Sequence, residues 1–239
     1  MTVDPSPKVA VLMNGASALH ADVEACFKNA IHAIDPTAII DTYDPIVAQT
    51  YPEQSTYDLV ILSGGGTDPM SQEPWVLKMQ EFIRSTIIDH PAQKLLGICW
   101  GHQTISVSLG GVVGPMEAAE LGVHTIPLTD TGSQFFSSVL PSSQSYDILE
   151  FHAREIRQPG KGLIALAGDN QCFVNASNTV LTFQGHPELT EAFGKKMLPG
   201  ATKSYMRVKE SELDLVGKGF EKPHDGHALW KRILMWVKE

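Results

Sequence analysis

Between Lys8 and Leu109, four short aliphatic runs alternate with stretches of helical periodicity, and this alternation constrains the fold more than any other feature of the chain. The runs are Lys8–Met13, Thr37–Tyr43, Tyr57–Leu62 and Lys94–Ile98. Strands this short and this apolar are buried on both faces, which is the condition of a parallel sheet covered by helices. The intervening helices are expected over Ala18–Ile34, Glu73–Ile88 and Gly101–Leu109. In the first, the spacing puts Ala21, Ala25, Ile31 and Ile34 inward; in the second, Trp75, Met79, Phe82, Ile83 and Ile87. After Met116 the character changes. Val123–Leu128, Asp147–Phe151, Leu163–Ala167, Gln171–Asn175 and Thr179–Phe183 read as short strands forming a meander beside the main sheet. A last helix is expected over Gly226–Val237, with Asp225 as its N-cap. The expectation is therefore an α/β protein with an open, mostly parallel sheet, helices on both faces and a small antiparallel β extension.

The chain has 239 residues, of which 43% are hydrophobic and 19% charged, enough for a sizeable core without disulfides. No repeat, low-complexity segment or linker interrupts it, so one domain over residues 1–239 is expected. Three cysteines give no disulfide framework. A net charge of −9 argues against a general nucleic-acid binder. That charge is uneven: residues 1–194 sum to −13, and residues 195–239 to +4. The basic tail reads either as a contact for an acidic partner or as a solvated face against the acidic body, the second being the commoner case. Leu95–Met116 carries no charged side chain, but its glycines, His102, Gln103 and serines fit a buried strand, turn and helix better than a membrane span. No targeting segment is visible, so a soluble, cytoplasmic protein is expected.

Cys99 stands where the run Lys94–Ile98 gives way to a helix, between Gly97 and Gly101. A tight strand-to-helix turn lifts such a side chain above the sheet edge, and the helix N-terminus favours its thiolate. A thiolate nucleophile needs a base, and the base needs an orienting group. Gln184-Gly185-His186-Pro187-Glu188, at the end of another strand, supplies both: in an extended stretch His186 and Glu188 project to one side. Ser63-Gly64-Gly65-Gly66, at a third strand end, offers backbone N–H groups to a developing oxyanion. Cys26 and Cys172 lack such a setting and read as packing. His224 and His227 have no third partner at metal-ligand spacing, so no metal is expected.

These segments together resemble the class I (triad) glutamine amidotransferases. The family pattern Gly-[Ile/Val]-Cys-x-Gly-x-Gln stands here as Gly97-Ile98-Cys99-Trp100-Gly101-His102-Gln103, its His-x-Glu as His186-Pro187-Glu188, and its oxyanion segment as Ser63-Gly64-Gly65. The resemblance covers about residues 8–194 and fades over a C-terminal extension, 195–239. It implies the family's flavodoxin-like fold. Cys99 would be the nucleophile, His186 the base and then acid, and Glu188 its orienting group. The N–H groups of Gly65 and Trp100 would form the oxyanion hole. Gln103 would hold the γ-glutamyl group, with Gly64 and Gly66 beside it, and His102 would be scaffold. There are two departures: Gly66 stands where relatives often have Pro, which bears on the oxyanion strand, and His152-Ala153-Arg154 where they often carry a His-x-Asp substrate loop, which bears on the substrate. Arg154 would meet a substrate carboxylate or pair with Glu150 or Glu155. His152 and Arg154 are thus candidate substrate contacts.

The implied reaction is acyl transfer at a γ-glutamyl carbonyl through a thioester, with no metal or organic cofactor. No synthetase domain fits in this length, so a stand-alone hydrolase of γ-glutamyl amides or peptides, similar to the γ-glutamyl peptidases, is expected. Its substrates would be glutamine, glutathione or a conjugate. The alternatives are a glutaminase subunit delivering ammonia to a separate synthase, a DJ-1-like aldehyde-acting or redox-sensing protein, and a non-catalytic binding or regulatory subunit. No nucleic-acid or membrane partner is expected.

Overall fold

The computed structural model of the chain describes residues 6–15, 18–204 and 206–239. Four strands and three helices alternate first: β1 (Lys8–Leu12), α1 (His20–His32), β2 (Ile39–Tyr43), β3 (Leu59–Leu62), α2 (Pro74–Asp89), β4 (Lys94–Ile98) and α3 (Trp100–Ser108). Then come β5 (Val112–Pro127), α4 (Asp130–Phe136), β6 (Ser145–Gln158), β7 (Leu163–Ala165), β8 (Cys172–Asn175) and β9 (Val180–Phe183). The chain closes with α5 (Glu191–Ala201), α6 (Leu213–Gly219) and α7 (Gly226–Val237).

One sheet runs in the order β2-β1-β3-β4-β9-β8-β7, parallel from β2 to β9 and antiparallel across β8 and β7. Successive residues of a strand face opposite sides, and both sides are apolar here. Along β1, Val9 and Val11 pack toward α1 and α7, with Phe27, Ile31, Trp230 and Ile233. Ala10 and Leu12 pack toward α2 and α3, with Trp75, Met79, Ile83 and Ile105. Alternating strands between helical layers thus form as the sequence predicts. No helix among the described residues is long and apolar enough to cross a membrane.

Three local expectations need correction. In α1 the inward face is Phe27 and Ile31, flanked by Val23, Ala30 and Ile34, while Ala21 and Ala25 are exposed. The large side chains gain more from burial than alanine does, and they set the helix's rotation. The later strands do not form one meander. β9 enters the main sheet beside β4, β8 and β7 extend that sheet, and β5 and β6 pair separately. Asp225 precedes α7, but its carboxylate makes no cap there: it accepts from the Asp147 N–H at 2.8 Å and ties the helix start to β6. The basic tail finds acidic groups of this chain, Lys195 with Glu191 and Glu221, and Lys196 with Asp22 of α1.

Candidate active site

β3, β4 and β9 are neighbours in the sheet, so the segments that follow them meet at one edge. Cys99 leaves β4 with φ 52° and ψ −100°, a left-handed conformation costly for a residue with a side chain, and α3 begins at the next residue. Its N–H donates to the Phe183 carbonyl of β9 at 2.8 Å, which fixes the turn. A Cβ at Gly97 would lie 2.7 Å from Ile105 Cδ1, and one at Gly101 2.7 Å from Leu62 Cβ. Only glycines let α3 close down on β3 and β4.

His186 arrives from β9. Its N–H donates to the Leu149 carbonyl of β6 at 2.8 Å, and its Nδ1 lies 2.8 Å from Glu188 Oε1. The backbone turns over Pro187 and Glu188 instead of staying extended, so the turn and not strand alternation brings the carboxylate back to the ring. With Nδ1 on Glu188, the other side of the ring is left toward Cys99: His186 Cε1 and Cys99 Cβ both border the same point beside Gly64, at 2.9 and 3.6 Å from it. Burial works against a charged imidazole, but the Glu188 carboxylate and the Cys99 sulfur outweigh it and hold the His186 pKa well above its ordinary value. The other thiols differ. Burial pushes Cys26 up to about 11 and also raises Cys172, keeping both protonated.

The glycine segment lies against this pair. A Cβ on Gly64 would come within 2.9 Å of His186 Cε1 and 3.6 Å of Cys99 Cβ. At Gly65 it would run into the Asn14 carbonyl and lie 3.3 Å from Trp100 Cγ. Gly66 has open space around it, and its carbonyl accepts from Arg154 Nη1 at 3.1 Å. Trp100 stacks on Trp75 with ring centres 5.1 Å apart, and as the first residue of α3 its N–H has no intrahelical acceptor.

The remaining candidates fall elsewhere. Gln103 is buried, and its Nε2 donates to the Arg154 carbonyl at 2.8 Å and to Gln184 Oε1 at 2.9 Å. His102 is scaffold: its Nδ1 lies 2.8 Å from Thr182 Oγ1 and its ring stacks on Phe173. The segment with His152 and Arg154 is not a loop but part of β6. His152 is 1% exposed and turned toward Glu120 and Glu150. Arg154 Nε lies 4.0 Å from Asp68 Oδ2. A groove of about 650 Å³ begins at Ala153 and Arg154, between β5 and residues 206–216, and carries Met116, Met206, Arg207 and Lys209.

Sequence reasoning missed the residues that hold the corner. Asn14 clamps the glycine segment, its N–H donating to Ser63 Oγ at 2.8 Å and its Nδ2 to the Ser63 carbonyl at 3.2 Å. Gln184 receives Gln103, and Glu120 and Glu150 flank His152. Asn14 follows a strand end and Glu150 sits two residues before His152, which were signals; Glu120 comes from a partner strand and left none.

Residues 21–200 match the family model of glutamine amidotransferase class-I. The chain belongs to this family. Among curated proteins the chain is 39% identical to the glutamine amidotransferase-like protein chyE of Penicillium rubens, over 97% of each chain. It is 26% identical to gamma-glutamyl peptidase 3 of Arabidopsis thaliana, over 74% of this chain and 72% of that one. A crystal structure of a glutamine amidotransferase from Thermotoga maritima superposes with a TM-score of 0.68 at 17% identity, covering 99% of this chain and all of that one. The amidotransferase fold is thus shared well beyond sequence similarity.

Proposed function

We propose that the chain is a stand-alone cysteine hydrolase of γ-glutamyl amide or peptide bonds. The observation that carries this reading is His186 bonded to Glu188 through Nδ1 with its ring beside Cys99 at one sheet edge. The Cys99 thiolate attacks the γ-carbonyl carbon, forming a C–S bond and a tetrahedral oxyanion. The N–H groups of Gly65 and Trp100 stabilise that charge, a donor of this kind being worth about 10²–10³ in rate. Protonated His186 gives its proton to the leaving nitrogen as the C–N bond breaks, leaving a thioester. Water then attacks the thioester, His186 takes its proton, and glutamate leaves as the thiolate is restored. Glu188 holds the tautomer and steadies the imidazolium. Gln103, with its N–H groups engaged by the Arg154 carbonyl and Gln184, acts as a positioning residue.

The likeness to a γ-glutamyl peptidase supports this substrate class. The three free cysteines suit a reducing cytoplasm. Incubation of wild type and Cys99→Ala with glutamine, γ-glutamyl-cysteine and glutathione tests the reading. Glutamate release from at least one of the γ-glutamyl peptides, absent in the variant, is expected. Release from glutamine alone, and only with a synthase present, would assign the chain to ammonia delivery instead.

A further inference from the structure

β5 and β6 form an antiparallel pair in which Glu120 stands directly opposite His152. Glu150, two residues before His152, projects from the same face of β6. That face carries Tyr146 and Ile148 into the core, then Glu150 and His152. Three ligand-type side chains therefore converge where the β5–β6 pair meets the main body. One donor atom from each lies within 4.8 Å of the others. His152 Nε2 is 3.0 Å from Glu120 Oε2 and 3.1 Å from Glu150 Oε2.

The imidazole is oriented by a backbone carbonyl. His152 Nδ1 lies 2.9 Å from the Arg154 carbonyl, which can only accept, so Nδ1 carries the proton and Nε2 is the atom turned to the carboxylates. Nε2 is at ion-pairing distance from both, yet it makes an aligned hydrogen bond with neither, and both Glu150 oxygens lack one as well. Glu150 is fully buried and His152 nearly so. Two carboxylates and one imidazolium sum to −1; two carboxylates, a neutral imidazole and a divalent cation sum to zero. A surplus charge in a buried place is costly, and a divalent ion removes it. Separations near 3 Å between donors are the spacing expected around an ion held at about 2.0–2.2 Å by each. An outer layer is in place too: the Arg154 carbonyl on Nδ1, and Gln171 Nε2 on Glu120 Oε2 at 3.1 Å. Glu120 is 29% exposed and gives the ion a way in.

We propose that Glu120, Glu150 and His152 form a divalent-metal site, with one nitrogen and two carboxylate ligands and water in the remaining positions. A donor set of this kind takes Zn(II) or Mn(II). The site lies one layer behind the nucleophile. A Cβ at Gly185, next to His186, would come within 2.9 Å of the Glu150 carboxyl carbon. Its role is to lock the β5–β6 pair against the His186 segment, outside the acyl-transfer steps, and the inference stands whether or not the proposed substrate class is right.

Chelator-treated full-length protein carrying Cys99→Ser, so that the thiol at the sheet edge takes no metal, is titrated with ZnCl₂ by calorimetry. One equivalent is expected to bind, with affinity lowered at least tenfold by Glu150→Gln and by Glu120→Gln, and unchanged by His224→Ala. The Co(II) complex is expected to show no thiolate charge-transfer band. Glu120 is only partly buried, so its variant reports even if loss of the buried Glu150 unfolds the chain, as circular dichroism would reveal. Absence of saturable binding overturns the site. So does full-affinity binding in Glu120→Gln, or a thiolate band with Co(II), since either puts the ion elsewhere.

Discussion

Glu188 reaches the Nδ1 of His186 from only two residues away because the chain turns at Pro187. The carboxylate is nearly buried, so its charge acts on the imidazolium with little screening. Glu188→Gln keeps the shape and removes the charge. Hydrolysis of the best γ-glutamyl substrate is expected to fall about 10²–10⁴-fold in kcat/KM, and Cys99→Ala to abolish it. A Gln variant within threefold of wild type would show that the carboxylate does not support the imidazolium. Arg154 belongs to this scale as well. It spans from β6 to the carbonyl of Gly66, and shortening it frees that end of the glycine segment. Arg154→Ala is expected to raise KM more than it lowers kcat, read from initial rates over a range of substrate concentration; the reverse pattern would place Arg154 nearer the reacting atoms.

Elements matter here through how closely they approach. α3 can start immediately after β4 only because Gly101 presses against Leu62 of β3. Gly101→Ala would drive a methyl group into that strand, and α3 would have to back away from the elbow it begins. A loss of about 1–3 kcal/mol in urea unfolding is expected, typical of overpacking, with activity falling further than stability. On the other face, Ile233 of α7 is fully buried against the sheet, and Ile233→Ala is expected to cost about 2–5 kcal/mol with kcat of the folded protein unchanged. Both elements were legible in the sequence. β4 and α7 occupy the expected residues, since a short apolar run and a strong 3.6-residue pattern leave few alternatives. The β5–β6 pair was legible only in part. β5 spans Val112–Pro127 with most of its first half exposed or half-buried, so no two-residue alternation marks it. Cys99, His186 and Glu188 stood out because each sits in a distinctive local setting. Asn14, Gln184 and Glu120 did not, because what they touch is decided by which strands become neighbours.

At the scale of the molecule, His102 links stability to pH. It is fully buried between Thr182 and Phe173, and burial pushes its pKa down to about 3. The unfolded value is about 6.5, so the unfolded chain takes up the proton first as pH falls. The stability this residue confers is therefore complete above pH about 6.5 and is lost between there and about 3, at up to about 1.4 kcal/mol per pH unit. His186 is shifted the other way, and its contribution cancels when two proteins that both carry it are compared. Urea unfolding of wild type and His102→Gln at about pH 7 and about pH 5.5 is expected to show the smaller pH dependence in the variant. Equal dependence in both would mean that residue 102 titrates normally in the folded state.

The central position of β9 has a consequence for synthesis. Leu95 pairs with Val180, so the strand that bears the sulfur gains its neighbour only when most of the chain exists. A growing polypeptide carries Cys99 early, in an unfinished sheet with an open edge, and receives His186 and Glu188 only after β9. Until β9 is made, Cys99 stands without His186 and Glu188, so any chemistry the three residues share waits on that late strand.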